Sequence, residues 1–435
     1  MTLPALSENK PLRLGSLMLL YAAQGAPEGL LYIAIPAWFA SQGVSAEAIG
    51  GYIAIILLPW SFKLFNGILM DRYTWAPMGR KRPWLILAQL LLIASLIWFA
   101  GLGSPADSLY WFAIAGFAVN FAGAFQDVAI DGMAIDILGE EERATANGLM
   151  WGGKTLGTAG FAFLTGRLIS DEGGHAVAGI VTALFVAIVM VLPLLLRERA
   201  GEKLMPWTAG TASAHTEAVQ VRRWWPLVRN VLIAMKRPAS LALAAGILIA
   251  FLAYGLKTAF SPSVAVQELG WDRSLFTDRD ATADLIGGLF GVFVSGWLAD
   301  RIGPLRALGG ALIGMALLNL AAVFLWSADG AYFAYLLSYS VLFVLMSVCT
   351  YAIAMGQSRG SVAATQFSIF MALLNFGTSI GASQLGWLRG AGGYEAAFAA
   401  CAGLSALALV FYAVSATFNR QLETSTVLRD QEMRL

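Results

Sequence analysis

The chain has 435 residues, 58% hydrophobic and only 13% charged, with a formal net charge of +1. A soluble domain carries about 25% charged residues, so the composition predicts an integral membrane protein, and the near-zero charge gives no sign of a nucleic-acid partner. Cys349 and Cys401 fall in apolar segments and support neither a disulfide framework nor a metal cluster. His175 and His215 lie in or beside connections, which excludes a catalytic histidine within the membrane.

Lys10 and Arg13 precede an apolar run that continues to Ala40. That is longer than the roughly 7–15-residue apolar core of a signal peptide, and another span follows at once, so the run is expected to be a retained first helix. Counting runs of about 20 apolar residues predicts twelve spans. They fall at 14–40, 47–70, 84–102, 108–137, 146–168 and 175–196, then at 239–266, 282–299, 306–327, 330–355, 363–388 and 393–417. The expected organisation is a six-helix bundle (1–196), a polar and basic linker (197–238), a second six-helix bundle (239–417) and a tail (418–435). Segments that lie inside when the N-terminus is inside hold 21 of the 28 Lys and Arg residues, and outside loops hold four. This asymmetry predicts cytoplasmic termini. In the linker, Arg222–Leu232 pairs Trp residues with basic ones, which suits an interfacial helix acting as a tether.

The connections after spans two and eight repeat each other. The first carries Gly67, Asp71 and Arg72, followed by Gly79 and Arg80; the second carries Gly296, Asp300, Arg301 and Gly303. One G-x-x-x-D-R signal at equivalent places in two halves is an internal repeat of parallel orientation, as in the major facilitator fold. The Gly permits close helix approach, and the Asp and Arg can pair at the membrane edge as a gating latch.

Charges inside the spans are the chemical signal, because each costs about 2.5–3.5 kcal/mol on insertion scales and so faces a bundle interior or cavity. Asp127 and Asp131 are four apart on the fourth span, share a face, and extend a stripe begun by Asn120. Asp136 points elsewhere and is expected to be solvated. At about 1.5 Å per residue, Lys63 lies about 12 Å deep, the Asp pair about 10–16 Å and Lys154 about 13 Å. This levels two lysines with two aspartates. The group reads either as a cluster whose pairing changes with protonation and substrate, or as a static ion-pair network with snorkelling lysines. On the first span, Tyr21, Gln24, Glu28 and Tyr32 form one stripe, with Glu28 about 21 Å from the helix start beside Gly25, Pro27 and Gly29. On the seventh, Tyr254, Lys257, Thr258 and Ser261 share a face, and Lys257 is expected about 27 Å deep, facing the first half as an anion attractor. Gln126, Tyr351 and Asn375 complete the cavity candidates. Asp284 is expected to be exposed at the outer start of span eight.

Gln126–Leu138 (QDVAIDGMAIDIL) resembles the fourth-helix signature of the AmpG-type muropeptide permeases and related acetyl-CoA transporters. Leu19–Leu30 (LLYAAQGAPEGL) and Asp71–Trp84 (DRYTWAPMGRKRPW) are similar to that family's first helix and its second-to-third loop. The resemblance implies an all-helical major facilitator transporter in a bacterial cytoplasmic membrane, monomeric, with proton-driven uptake of a large polar solute such as an anhydro-muropeptide. Related branches carry siderophores or acyl-CoA thioesters. Glu28 departs from the family pattern, which expects a small or apolar residue after Pro27, and so leaves substrate identity open. No cofactor beyond the proton gradient is implied, and the absence of a Walker A pattern gives no support for ATP-driven transport. A membrane-embedded transferase and a non-transporting sensor are the competing readings. The transferase reading lacks an intramembrane His and a sizeable external loop.

Overall fold

The computed structural model describes residues 5–103, 105–139, 142–169, 174–218, 225, 229, 233, 235–327, 329–358 and 363–432. The first part of the chain forms α1 (Lys10–Glu28), α2 (Ile35–Ser41), α3 (Ala46–Leu57), α4 (Lys63–Arg72), α5 (Arg82–Ala100), α6 (Pro105–Ile137), α7 (Arg143–Leu168) and α8 (Gly174–Leu195). After the short α9 (Ala214–Ala218) come α10 (Pro238–Ser263), α11 (Arg273–Phe290), α12 (Gly296–Ile302), α13 (Pro304–Leu325), α14 (Asp329–Gln357), α15 (Ala363–Ser383) and α16 (Leu385–Glu432). Proline opens several of these helices in the first turn, where its missing N–H costs nothing. Asn9 and Ser45 cap α1 and α3 by accepting the N–H of Leu12 and Ala48.

Eight of the described helices are long and apolar enough to cross a membrane, and Ala46–Phe62 is a shorter apolar helix. The other expected spans fall on helices that are interrupted, as in α1 and α3, or rich in Gly, Ser, Thr and Asn, as in α7 and α15. The interruptions follow a pattern. Pro27 in α1 is followed by a π-helical stretch at Gly29–Ala34, and Pro262 in α10 by one at Val264–Glu268. Each stretch begins two residues after its proline, which adds a second repeat to the G-x-x-x-D-R signal. A ring that removes one ladder hydrogen bond is a physical cause of such bulges, and π segments concentrate at functional sites.

Glycines set the closest helix contacts. A Cβ on Gly25 would stand 2.2 Å from the Lys154 carbonyl oxygen, and one on Gly153 would stand 2.3 Å from that of Met18, so α1 and α7 touch backbone to backbone. The equivalent contact later in the chain joins α10 and α15, with Gly255 against Thr378 and Gly381 against Leu252. Helices α1–α8 form one packed group and α10–α16 another, and the two groups meet where α7 runs along α11 and where α3 lies against α10 and α15.

One expectation needs correction, and two further stretches add detail. The eighth span does not begin at 282: helix starts at Arg273 and continues through a π segment (Gly291–Ser295) to Ile302. Its first turns carry Arg273, Asp278, Arg279 and Asp280, and so read as a loop by composition. Helix α16 is broken at Gly392 and Gly393, then runs to Glu432, through most of the region expected to be a tail. The start of the linker docks on the connection between α4 and α5. Glu198 accepts the backbone N–H groups of Arg80 at 3.0 Å and Lys81 at 2.8 Å, and also that of Arg82, while Lys203 donates its N–H to Pro77 at 2.7 Å. Burial and the charge of Glu202 raise the Glu198 carboxyl to about 7. Gly79, at φ 99°, presses on that carboxylate, with the position of a Cβ only 2.7 Å from its carbon. Most of the Arg222–Leu232 stretch lies outside the described residues.

Candidate functional site

The intramembrane charges of the first half gather around one tryptophan. Trp60 lies in a 3-10 turn, Leu58–Phe62, that joins α3 to α4. Its indole N–H points at the Tyr32 hydroxyl (2.9 Å) and Asn120 Oδ1 (2.7 Å), and Tyr32 in turn donates to Asn120. The amide of Asn120 is anchored on the Gly116 carbonyl at 3.0 Å. The ammonium groups of Lys63 and Lys154 lie 4.6 Å and 5.3 Å from the Trp60 ring, within cation–π range.

Each lysine has its own carboxylate. Lys63 Nζ is 2.5 Å from Asp127 Oδ2, whose other oxygen accepts from the Gln24 amide at 2.7 Å. Lys154 Nζ is 2.9 Å from Glu28 Oε1. Asp131 accepts from the Tyr21 hydroxyl. Among the described residues the cluster therefore holds three carboxylates and two lysines. Charged side chains at this depth are tolerated when paired, and the third carboxylate, one turn from Asp127, leans on the Tyr21 hydroxyl.

The structure unites Tyr21, Gln24, Glu28, Tyr32, Lys63, Asn120, Asp127, Asp131 and Lys154, all named from spacing, but revises their partners. Depth alone groups Lys63 and Lys154 with the Asp pair and sets Glu28 apart. In the fold, Gly25 seats against the backbone of Lys154, so the long lysine side chain reaches Glu28 on the next turn. Asp136 is not solvated: Arg80 donates to both its carboxylate oxygens, at 3.0 and 3.1 Å, and Arg199 bonds its carbonyl. Gln126 is buried and donates to the Leu20 carbonyl at 3.1 Å, so it joins α6 to α1 instead of lining a cavity. Asn375 donates across to the Trp60 carbonyl at 3.2 Å, and Tyr351 lies 6.3 Å from the Trp151 ring. Both bring the second helix group to the edge of the cluster. Of the latch residues, Arg72 and Arg301 are exposed, Gly67 has a Val128 methyl 3.8 Å from the position of a Cβ, and the side chains of Asp71 and Asp300 lie outside the described residues.

A second charged group occupies the later half. Lys257 is buried and pairs with Asp280 on α11 at 3.5 Å, so it does not stand free toward the first half. Asp284, one turn on, accepts from the Ser340 hydroxyl at 3.2 Å and is half-buried in mid-helix, not exposed at a helix start. Tyr254 stacks on Phe343 with ring centroids 3.8 Å apart. Sequence reasoning missed Trp60, Asp280 and the setting of Asp284. The two aspartates repeat the D-x-x-x-D spacing of Asp127 and Asp131, a signal hidden by the late start assigned to the span.

Away from the linker, further contacts tie the helix groups together. Arg167 reaches Asp278 at 2.7 Å, Arg389 reaches Glu47 at 3.3 Å, and Gln267 donates to the carbonyls of Ala40 and Val44 at 3.1 and 2.7 Å.

Known proteins share this architecture. The chain is 25% identical over 399 residues to an anhydromuropeptide permease of Escherichia coli K12, covering 87% of this chain and 74% of the relative. It is 24% identical over 359 residues to a putative transporter AmpG 4 of Rickettsia conorii, covering 80% of each. Among solved structures, a mutant of the nucleoside transporter NupG superposes with a TM-score of 0.68 at 14% identity, covering 92% of this chain and 99% of that one. A bacterial homolog of the human lysosomal transporter Spinster, inward-facing and unoccupied, gives 0.67 at 16% identity over 94% and 96% of the two chains. Those identities speak for the fold alone. The family model of the Major Facilitator Superfamily matches residues 17–363, and the chain, an all-helical multi-pass membrane protein, belongs to that superfamily of transporters.

Proposed function

We propose that this transporter is a proton symporter that imports a large, polar, anionic solute such as an anhydro-muropeptide across the bacterial inner membrane. It works by alternating access, with twelve spans in two six-helix halves and both termini cytoplasmic. The observation that carries this reading is the pairing of Lys154 with Glu28 and Lys63 with Asp127 on either side of Trp60. A solute carboxylate entering between the halves competes with Glu28 for Lys154. Glu28, released from its cation, then takes a proton, because an unpaired carboxylate at membrane depth is costly. Bound solute and bound proton thus require each other, which is the condition for symport. The indole face of Trp60 offers apolar area against which a sugar ring can lie. Similarity to the anhydromuropeptide permease supports the solute class.

The test is uptake of a radiolabelled anhydro-muropeptide into proteoliposomes with an acid-outside gradient, with the gradient collapsed, and without protein. Accumulation only with protein and gradient is expected. Accumulation of a ferric siderophore or an acyl-CoA in its place replaces the solute while keeping the coupling. Solute binding without transport replaces the function by a sensor's, and chemical conversion of the solute by a transferase's.

A further inference from the structure

One of the seams between the two helix groups runs along α7 and α11, and its register can be read from two glycines. A Cβ on Gly166 would stand 2.3 Å from Thr277 Oγ1, and one on Gly288 would stand 2.6 Å from Thr155 Cγ2. Both contacts advance eleven residues in opposite directions, so the helices are antiparallel and in register over about three turns. On α11 the stripe through Thr277, Ala281, Asp284 and Gly288 therefore faces the seam. Opposite Asp284 the same register places Ala159 of α7, a buried apolar residue. Asp284 is thus a carboxylate set between two surfaces that must part when a transporter of this type changes state.

Among the described residues, its surroundings hold one cation for two carboxylates. From α10 come Lys257 and Tyr254; Lys257 reaches Asp280 at 3.5 Å, and Tyr254 lies within electrostatic range of both aspartates. From α11 itself comes Asp280. Ser340 of α14 donates to Asp284 at 3.2 Å, and Tyr339 lies beside Lys257, with the ammonium 5.6 Å from its ring. From α7 comes apolar Ala159, and Glu28 of the other half, paired with Lys154, also lies within electrostatic range of Tyr254. Gly287 fixes this packing, since a Cβ there would stand 2.4 Å from Ser340 Oγ.

We infer that Asp284 is a second proton-carrying group, whose protonation lets the α7–α11 seam close away from the linker. The inference rests on the symport reading above. When the seam is closed, as it is here, Asp284 faces Ala159 and shares its single cation with Asp280. A proton on its carboxylate removes the unmatched charge. When the far end of the seam opens, water reaches the group and the ionised form is accommodated. The proton enters from the far side while the seam is open there, rides on an Asp284 oxygen through closure, and leaves toward the linker side. The halves then hold matching devices, Asp131 on the Tyr21 hydroxyl and Asp284 on the Ser340 hydroxyl, each one turn from a Lys–Asp pair.

The experiment needs no solute, because the proton is the probe. Spin labels at Leu164→Cys and Leu275→Cys, both exposed, report the far end of the seam, and labels at Gly148→Cys and Trp297→Cys report the linker end; the native cysteines are buried. Distance distributions of the full-length protein in nanodiscs are recorded from pH 5.5 to 8.5. In the wild type, the short far-end distance dominates at low pH and gives way to a longer one as pH rises. Each linked proton contributes up to about tenfold per pH unit to that population ratio. Asp284→Asn lowers the slope of the logarithm of the ratio against pH by up to one and holds the far end closed at high pH, while Asp284→Glu keeps the wild-type slope. Equal slopes in wild type and Asp284→Asn, with both folded by circular dichroism, overturn the assignment of Asp284 alone. A wild type with no pH-dependent shift at either end overturns the proton-coupled reading as well.

Discussion

Replacing Lys63 by Met should strand the Asp127 carboxylate. Asp127 has a side chain only 7% exposed, and Lys63, at 2.5 Å, is 23% exposed. Breaking a fully buried pair by removing one partner typically costs about 3–5 kcal/mol. Here the lysine is partly accessible and the Gln24 amide still holds one Asp127 oxygen, so about 2–3 kcal/mol is the expected loss. For a chain of this length that lowers the melting temperature by at least about 2–3 °C. Asp127→Asn leaves Lys63 unpaired, but the ammonium can swing along its stem toward the interface, so the loss should be smaller. The double variant Lys63→Met with Asp127→Asn removes both charges and should recover most of the stability. The coupling is read from a double-mutant cycle of thermal unfolding, monitored by fluorescence-detected size exclusion in detergent. Additive single losses, with the double variant less stable than either single one, would refute the pairing as an energetic unit.

Other outcomes follow from the same contacts. Glu28→Gln leaves Lys154 without a carboxylate at 2.9 Å and should abolish gradient-driven uptake while solute counterflow survives; loss of both activities would assign Glu28 to solute binding. Gly25→Ala places a methyl 2.2 Å from the Lys154 carbonyl oxygen, so α1 must shift off α7; a thermal shift indistinguishable from wild type would refute that contact. The Glu198 carboxyl, at about 7 when folded against an ordinary 4.5, binds its proton more tightly in the docked state. Its contribution to stability is therefore complete below about pH 4.5 and is lost as pH rises through 7, on the order of 3 kcal/mol in all. Hydrogen exchange of residues 197–213 should quicken between about pH 4.5 and 7 beyond the intrinsic rate, and Glu198→Gln should flatten that change.

Much of the site is legible in the sequence because charge inside an apolar segment is an anomaly that periodicity can place on a face. Asp127, Asp131, Lys63, Lys154 and Glu28 all stand out that way. Their pairing is not legible, because it depends on how far one helix slides past another. The close approach of Gly25 and Gly153, which brings Lys154 to Glu28, is a property of two backbones. Trp60 gives no signal beyond an aromatic after a proline, and its role comes from the 3-10 turn that aims it between two lysines. Asp280 and the setting of Asp284 escape because α11 opens with a charged sequence, DRSLFTDRDATAD, that hydropathy reads as a loop. The π segments after Pro27 and Pro262 are foreseeable as helix disturbance, but not as bulges of one kind in equivalent places.

The most direct test of coupling follows the proton itself. A proteoliposome suspension in weak buffer, with an external pH electrode and a permeant counter-ion to clamp the potential, receives a pulse of anhydro-muropeptide with no gradient imposed. If solute and protons enter together, the external medium turns alkaline as solute is taken up, and the rise disappears when a protonophore is present. Uptake of solute with no change in external pH would contradict proton symport.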